Sequence, residues 1–400
     1  MRILLVTQYF HPENFKSNDI AFELARRGYE VTVLTGIPNY PKGRFFNGYG
    51  LFKRRRENLE GVKVVRTLVV PRGEGGALML ALNYISWALC GSVVAFFMST
   101  FRRFDAVIVH QTSPITQGFP ALVVKFMRGT PIYFWVLDLW PESLRAAGGI
   151  HNSFVLNLFG KVATLMYRCS DKILISSRGF AKSICAMGRF EDKLVYFPNW
   201  AEDVFENSSA GSVPDLPDGF KVMFAGNVGE AQDMPAVMKA AELLKGKGVT
   251  LVIVGEGRKM QWVQEYVLQH NLTDVVFLAG AHPLDDMPSY FGHADVLFLS
   301  LRNDYIFSLT TPAKLQTYMA AGKPVIAMVG GETADLIAEA ECGFSCAAGD
   351  YESFADCVLT MKSLTESERR RLGENGRRYF LKKFRKDCCI DHLCAILPVR

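Results

Sequence analysis

The sequence predicts an α/β protein built from two doubly wound parallel-sheet domains facing a cleft. Three observations lead there. Apolar runs of strand length alternate with helical patterns through the first half of the chain. The stretch "ENSSAGSVPDLPDG" at 206–219, rich in Ser, Pro, Gly and Asp and without periodicity, interrupts the alternation as a linker would. A second alternating series then begins, and 400 residues are too many for one ordinary core.

Taken in order, the first-half strands are "ILLVT", "EVTVLT", "VKVVRTLVV", "DAVIVHQ", "PIYFWVL", "DKILISS" and "KLVYFP". The opening "MRILLVTQYF" has a five-residue apolar run before a polar loop, too short for a signal-peptide core. It reads as a first buried strand in a cytoplasmic protein. "SNDIAFELARRG" repeats apolar residues at spacings of three and four and stops at Gly28, which marks a helix. Such alternation specifies a parallel sheet covered on both faces. Beyond the linker come "FKVMFAG", "VTLVIVG", "VVFLAG", "DVLFLS" and "KPVIAMV", and the basic "SERRRLGENGRRYFLKKF" reads as a surface helix. The expected domain limits are 1–198 and 199–378, with 379–400 a C-terminal helix packing back on the first domain.

Hydrophobic residues make up 49% and charged residues 21%, which describes an ordered chain. A net charge of +5 is too small to argue for nucleic acid and suits polyanionic small molecules or an anionic membrane surface. Nine cysteines without paired spacing suit a reducing compartment. Cys388, Cys389, His392 and Cys394 cluster near the C-terminus, but adjacent cysteines seldom share one tetrahedral ion. A helix face is the better account, and no metal is expected.

One segment departs from a plain soluble enzyme. From Gly75 to Phe101 no residue is charged, a length that could cross a bilayer. Asn83, Ser86 and Ser92 interrupt it, however, and strand runs flank it on both sides. An amphipathic helix lying in the membrane plane, a fully buried helix and, least favoured, a true span remain open. The basic run Lys53 to Arg56 and the pair Arg102, Arg103 favour the membrane surface, with a solvated face as the plain alternative.

In open parallel sheets, ligands bind at the carboxyl ends of strands. Asp138 in "YFWVLDLWPESL", Asn227 and Gly229 in "FAGNVGEAQD", and Arg302 in "LFLSLRNDY" occupy such ends. In "SLTTPAKLQTYMAAGKPV" (308–325), Thr311 is a candidate N-cap, Pro312 suits the first helical position and Gly322 ends the helix. The N–H groups of Ala313 and Lys314, the helix dipole and the Lys314 ammonium would then meet a diphosphate. The alternative is an ordinary capped helix with a solvent-facing lysine. Gly226 and Gly229 let backbone approach a ligand closely. Gly255, Glu256 and Gly257 form a second glycine turn, without the third glycine of a dinucleotide fingerprint. There is no Walker lysine motif, so ATP hydrolysis is not expected, and no Asp-x-Asp pair to hold a metal against a sugar nucleotide.

These residues resemble retaining glycosyltransferases of family 4, with the GT-B architecture of two Rossmann-like domains. More narrowly, they resemble the bacterial enzymes that add N-acetylated aminosugars, such as N-acetylfucosamine, in capsule, O-antigen or colanic-acid assembly. "ELARRGYEVTVLTGIPNYPKGR" is similar to the group's first helix, second strand and following loop, and "DLWPES" to its acceptor-side loop. "AGNVGEAQD" is similar to its glycine loop, "TTPAKLQTYMAAGKPVIA" to its diphosphate helix and "ENGRRYFLKKF" to its C-terminal helix. The resemblance runs nearly end to end. "DLWPES" beside "PNYPKG" is its specific part, whereas "AAGKPV" is shared by the whole superfamily.

The resemblance implies transfer of an (N-acetylamino)sugar from a UDP-sugar to a polyprenyl-diphosphate-linked sugar, with retention and without metal or cofactor. It implies a peripheral position on the inner face of the bacterial plasma membrane, through the apolar helix 77–101. Residues 1–198 would bind the acceptor and 199–378 the nucleotide sugar. Asp138 would position or deprotonate the acceptor hydroxyl, with Glu142 the second choice; both could instead simply complement a helix dipole. Gly226, Asn227, Gly229, Gln232, Arg302, Thr310, Thr311, Lys314 and Thr317 would hold the donor and its diphosphate. Gly255, Glu256 and Gly257 would form the nucleotide loop, and His11, Glu13 and Trp140 would border the acceptor, Trp140 by stacking on a sugar.

The chain also departs from the pattern. Leu309 and Thr317 stand where the wider family has two glutamates, Gln232 and Asp233 near its Arg and Lys, and Leu137 where a His or Arg is common. Donor recognition is therefore expected to lean on Lys314 and Arg302. No carboxylate is identified for a covalent glycosyl-enzyme, so a front-face displacement assisted by the leaving phosphate is expected. The rival readings are a hydrolysing UDP-sugar epimerase and a non-catalytic scaffold of a polysaccharide assembly complex.

Overall fold

The computed structural model describes residues 1–148, 152–206 and 216–398. Most of the expected linker, 207–215, lies outside the described residues. The chain divides into two compact units: Met1–Ser176, Phe180–Phe197 and Ile390 onward form the first, and Ser177–Gly179 with Pro198–Cys389 the second. The C-terminal change of unit thus falls at Ile390, eleven residues beyond the expected 379.

In the first unit the strands are β1 (Arg2–Val6), β2 (Glu30–Gly36), β3 (Arg56–Leu59), β4 (Val62–Thr67), β5 (Ala106–Gln111), β6 (Ile132–Val136), β7 (Lys172–Ile175) and β8 (Leu194–Tyr196). They form one sheet of order β3-β4-β2-β1-β5-β6-β7-β8, parallel throughout except for the pair β3–β4. The central strands are runs of Val, Ile and Leu, and Ile3 to Val6 and Val107 to Val109 are wholly buried. A parallel strand needs that character, because helices cover both its faces. Each such side chain contributes about 1.5–3 kcal/mol relative to exposure. β3 was not expected, since "RENL" carries no apolar alternation. It forms because Glu60 and Gly61, both at positive φ (48° and 85°), turn the chain back onto β4. An edge strand can afford charge there.

The helices of this unit are α1 (Lys16–Arg26), α2 (Ala77–Phe101), α3 (Phe119–Arg128), α4 (Glu142–Gly148), α5 (Ser153–Cys169) and α6 (Phe180–Ala186). α2 is not the fully buried helix of one expectation. It buries one narrow stripe, Asn83, Trp87, Gly91, Ala95 and Ser99, spaced by four. Gly91 is required there, because a Cβ would sit 2.9 Å from the Pro120 ring at the start of α3. Leu78, Ile85, Leu89, Val93, Phe96, Phe97 and Phe101 are exposed. The helix therefore turns Asn83, Ser99 and small residues toward the protein beside Trp87, while most of its large apolar residues face out. By length and composition it is the one helix among the described residues that could cross a membrane. It connects β4 to β5 and packs on β2, β4 and α3 of the same unit.

The second unit holds β9 (Phe220–Ala225), β10 (Val249–Val254), β11 (Val276–Gly280), β12 (Val296–Ser300), β13 (Val325–Met328) and β14 (Gly343–Cys346). All are parallel, in the order β11-β10-β9-β12-β13-β14. β14 was not expected from "GFSC". It pairs with β13 so closely at Gly343 that a Cβ would lie 1.8 Å from the Val325 oxygen. Around the sheet run α7 (Met234–Leu244), α8 (Met260–Gln269), α9 (Met287–His293), α10 (Tyr305–Leu309), α11 (Ala313–Ala320), α12 (Glu332–Glu339), α13 (Tyr351–Ser363) and α14 (Glu366–Lys383). α15 (Lys386–Ile396) follows. One continuous core links Val222, Phe224, Leu251, Ile253, Phe298 and Phe354.

Candidate active site

At the carboxyl edge of the second sheet, the loops after β9, β10 and β11 are laced together through backbone. Gly226 N–H donates to the Val254 oxygen (2.9 Å), Val228 N–H to Glu256 (2.8 Å) and Gly255 N–H to Gly280 (2.7 Å). Glycine makes this spacing possible. Gly255 has φ 142°, and a Cβ on it would lie 2.0 Å from the Gly226 oxygen. A Cβ on Gly257 would lie 2.2 Å from the Val228 oxygen.

These loops form one wall of a cavity of about 410 Å³, and the start of α11 lines it too. Among the residues expected from sequence, Gly226, Asn227, Gly255, Glu256, Lys314 and Thr317 line it. Lys314 lies against Gly226, where a Cβ would come within 2.7 Å of its Cε, and its Nζ is 5.0 Å from the centre of the Phe224 ring. Among the described residues no carboxylate pairs with it. Burial pulls its ammonium down to about 8. Pro312 is the N-cap of α11 and offers no side-chain acceptor; Leu315 N–H donates to the Pro312 oxygen (2.9 Å), which leaves the N–H groups of Ala313 and Lys314 for water or a ligand. A half-buried cation, a helix N-terminus and close glycine backbone are together suited to a phosphate.

Thr311 is not the N-cap. Pro312 is extended (φ −68°, ψ 140°), which moves the helix start to Ala313. The Thr311 hydroxyl donates instead to Ser177 Oγ (3.3 Å). Thr310 returns its hydroxyl to the Ile306 oxygen, and its own carbonyl accepts from the Thr333 hydroxyl (3.0 Å). Gly229 N–H donates to Gln232 Oε1 (3.0 Å), so Gln232 shapes the glycine loop from outside the cavity lining. Arg302 also lies outside that lining, and its guanidinium is paired with Asp304 at 2.8 Å. Gly257 acts through its close approach to Val228 rather than as a lining residue.

In the first unit Asp138 follows β6 by two residues. Burial raises its carboxyl above the ordinary range, and hydrogen bonds from the Ser113 side chain and backbone oppose the rise. Glu142 opens α4; burial raises it too, and its Oε2 is buried without a hydrogen-bond partner. Trp140 does not present a face for a sugar. It is 4% exposed, its ring meets Phe159 at 5.1 Å between centroids and its Nε1–H donates to Ser113 Oγ (3.3 Å). Glu13 is also buried. Its carboxylate accepts the N–H groups of Phe10 (3.2 Å), Asn39 (2.8 Å) and Tyr40 (2.7 Å), so it holds the "PNYPKG" loop rather than an acceptor. His11 is exposed, and its carbonyl accepts from buried Arg66 (2.7 Å).

Residues 213–379 match the model of the glycosyl transferases group 1 family, and residues 17–200 match that of the glycosyl transferase 4-like domain. The chain belongs to the family 4 glycosyltransferases. This glycosyltransferase is 26% identical over 300 residues to WbjE of Pseudomonas aeruginosa, named as a glycosyltransferase, across 71% of this chain and 74% of that one. It is 24% identical over 315 residues to WcaI of Escherichia coli (strain K12), named as a colanic acid biosynthesis glycosyl transferase, across 75% of each chain. Among solved structures, Anabaena HepE in complex with UDP superposes with a TM-score of 0.73 at 15% identity, covering 99% of both chains. Sucrose-phosphate synthase from Thermosynechococcus elongatus superposes with a TM-score of 0.75 at 13% identity, covering 99% and 98%. These likenesses show the GT-B fold.

Several residues of the glycosyltransferase were missed from sequence. Phe205, His282, Phe291 and Tyr318 also line the second-unit cavity. Phe205 and Phe291 stack at 5.4 Å, and the Tyr318 hydroxyl accepts the Ala225 N–H (3.1 Å). His282 sets its Nε2 2.8 Å from the Tyr290 hydroxyl. "AHPLDDMPSY" directly follows β11, so its position at a strand end was the available signal. In the first unit, His110 was missed as well: burial lowers it to about 3, leaving a neutral imidazole 3.3 Å from the Thr7 hydroxyl.

Proposed function

We propose that this glycosyltransferase moves an N-acetylaminosugar from a UDP-sugar to a polyprenyl-diphosphate-linked sugar, in the assembly of a bacterial surface polysaccharide. The observation that carries the reading is Lys314, an unpaired, half-buried cation at an uncapped helix N-terminus among glycine loops. A departing UDP gains negative charge on its diphosphate, and donors already in place stabilise it without reorganisation. Lys314 and the first N–H groups of α11 have that role, and no metal is then required. The names of the relatives support the setting: WcaI is named for colanic acid, and HepE has been crystallised with UDP and with UDP-glucose.

On the first unit, Asp138 orients the acceptor hydroxyl or takes its proton; its raised pKa moves it toward the range of an effective base. Attack from the face that the leaving diphosphate vacates gives retention. The outward apolar face of α2, with exposed Lys53, Arg54, Arg56, Arg102 and Arg103, suits the anionic inner leaflet where such an acceptor is held. A hydrolysing epimerase would use the same donor site but has no use for that face.

The test is thermal unfolding with UDP, GDP, ADP and NAD, each with EDTA and with magnesium. About a hundredfold excess over Kd adds some 2.7 kcal/mol of stability. Stabilisation by UDP that EDTA leaves unchanged is expected. A shift with another nucleotide and none with UDP would overturn the donor assignment.

A further inference from the structure

At the carboxyl edge of the first sheet stands an arginine that no part of the mechanism has used. Arg72 follows β4, Tyr9 follows β1 and Tyr40 follows β2, while Tyr84 lies in α2. The Arg72 guanidinium is 5.0 Å from the centre of the Tyr40 ring and 5.9 Å from those of Tyr9 and Tyr84. Its Nη1 donates to the Tyr9 hydroxyl (3.1 Å), and its backbone N–H to Asn39 Oδ1 (3.2 Å).

Arg72 is half-buried, yet among the described residues no carboxylate pairs with it. Buried Arg66, by contrast, is paired with Glu57, and Arg27 with Glu23 and Asp391. The carboxylates near the tyrosine cage are already occupied: three backbone N–H groups hold Glu13, and Ser113 holds Asp138. Tyr84 feels both charges, since Arg72 lowers its pKa and Asp138 raises it, on top of burial. Tyr84 thus lies within electrostatic reach of both groups, and no ion pair joins Arg72 to Asp138 among the described residues.

A guanidinium held by aromatic faces, with donors left over, is arranged for an oxyanion taken up side-on. The surroundings say which oxyanion. Five residues beyond Arg72 the chain enters α2, whose apolar face opens to the outside at once with Leu78 (73% exposed). A guanidinium free to take an anion, next to an apolar face, suits a phosphorylated lipid.

We propose that Arg72, in its cage of Tyr9, Tyr40 and Tyr84, binds a phosphate oxygen of the lipid-linked acceptor and so presents the acceptor sugar to Asp138. This rests on the acceptor class proposed above and assigns its anchor. Arg72 is a binding residue; it takes no part in bond making.

The test uses the full chain, with decyl diphosphate as probe and decyl glucoside as its phosphate-free counterpart, both by titration calorimetry. Arg72→Gln is expected to weaken decyl diphosphate at least tenfold and to leave decyl glucoside, the UDP thermal shift and retention on anionic phosphatidylglycerol vesicles unchanged. Equal binding of decyl diphosphate by wild type and Arg72→Gln would overturn the proposal. So would a variant that loses vesicle retention but not decyl diphosphate, which would make Arg72 a headgroup contact. Should Arg72→Gln not fold, Arg72→Lys is read instead: it keeps the charge but loses the side-on fork, so about fivefold weaker binding supports the proposal and unchanged binding overturns it. The calorimetry needs no donor. If UDP gives no shift while decyl diphosphate still binds through Arg72, the donor reading has failed and this one stands.

Discussion

The carboxyl edges of the two sheets are built by different means. In the second unit, main-chain hydrogen bonds between glycine-bearing loops make the wall, and Lys314 is the chief side chain set into it. In the first unit, side chains hold the loops. Glu13 gathers three amides, and Asn83 bonds Gln8 Nε2 (2.6 Å) and reaches Asn39 (3.4 Å). Gln117 in turn accepts the Gln8 N–H (3.0 Å). A backbone wall tolerates almost no added atom but is indifferent to most side-chain chemistry. A side-chain scaffold tolerates added atoms better but carries ionisable groups, and so responds to pH.

The sharpest way to break this contrast is to add one methyl group. Gly255→Ala puts a Cβ 2.0 Å from a carbonyl oxygen at a φ that disfavours L residues, so about 3 kcal/mol or more of stability should be lost, together with the UDP shift. Chemical denaturation checks it. A second glycine loop that absorbs alanine without loss would remove the distinction.

Next in size is Glu13, and its effect should depend on pH. Burial raises its carboxyl from 4.5 to about 7. The folded chain therefore keeps a proton that the unfolded chain releases near 4.5, so this group's contribution is full below 4.5 and is lost as pH rises through 7. Melting temperature in the wild type should fall over that window, by the equivalent of a few kcal/mol at most. Glu13→Gln should flatten the fall and cost about 2 kcal/mol from imperfect acceptance of three N–H groups. An unchanged pH profile would mean that the carboxylate stays ionised.

Lys314 probes the donor side by charge alone. Lys314→Met should weaken UDP about tenfold to a hundredfold with little change in stability. In the wild type, UDP affinity should decline as pH rises through 8, because burial has lowered the ammonium to about 8. Titration calorimetry across pH reads both. The smallest effect on folding belongs to α2: Leu89→Glu with Phe96→Glu changes exposed positions (64% and 49%) and should alter stability by less than about 0.5 kcal/mol. The same pair should release the protein from anionic vesicles, as a flotation assay would show.

The main strands of both sheets were legible because parallel strands are apolar on both faces and announce themselves as unbroken runs. β3 and β14 were not, since neither is apolar enough; a turn creates one and a glycine-mediated pairing the other. In the second unit, Gly226, Gly255 and Lys314, which line one cavity, could be picked out because backbone freedom and charge are properties of the residue itself. Trp140 and Glu13 were misjudged because an aromatic or a carboxylate after a strand looks the same whether it faces inward or out. Arg72 escaped notice for the opposite reason: its cage is drawn from residues near 9, 40 and 84, and no local pattern joins them.

α2 is a crossover between β4 and β5, not an appendage. A protein tethered by a tail can shed the tail and remain itself. This chain cannot give up its apolar helix without losing the connection that closes its first sheet. The helix is joined in sequence to β4 and β5, which precede Arg72 and Ser113, so its greasy surface is part of the fold and cannot be trimmed from it.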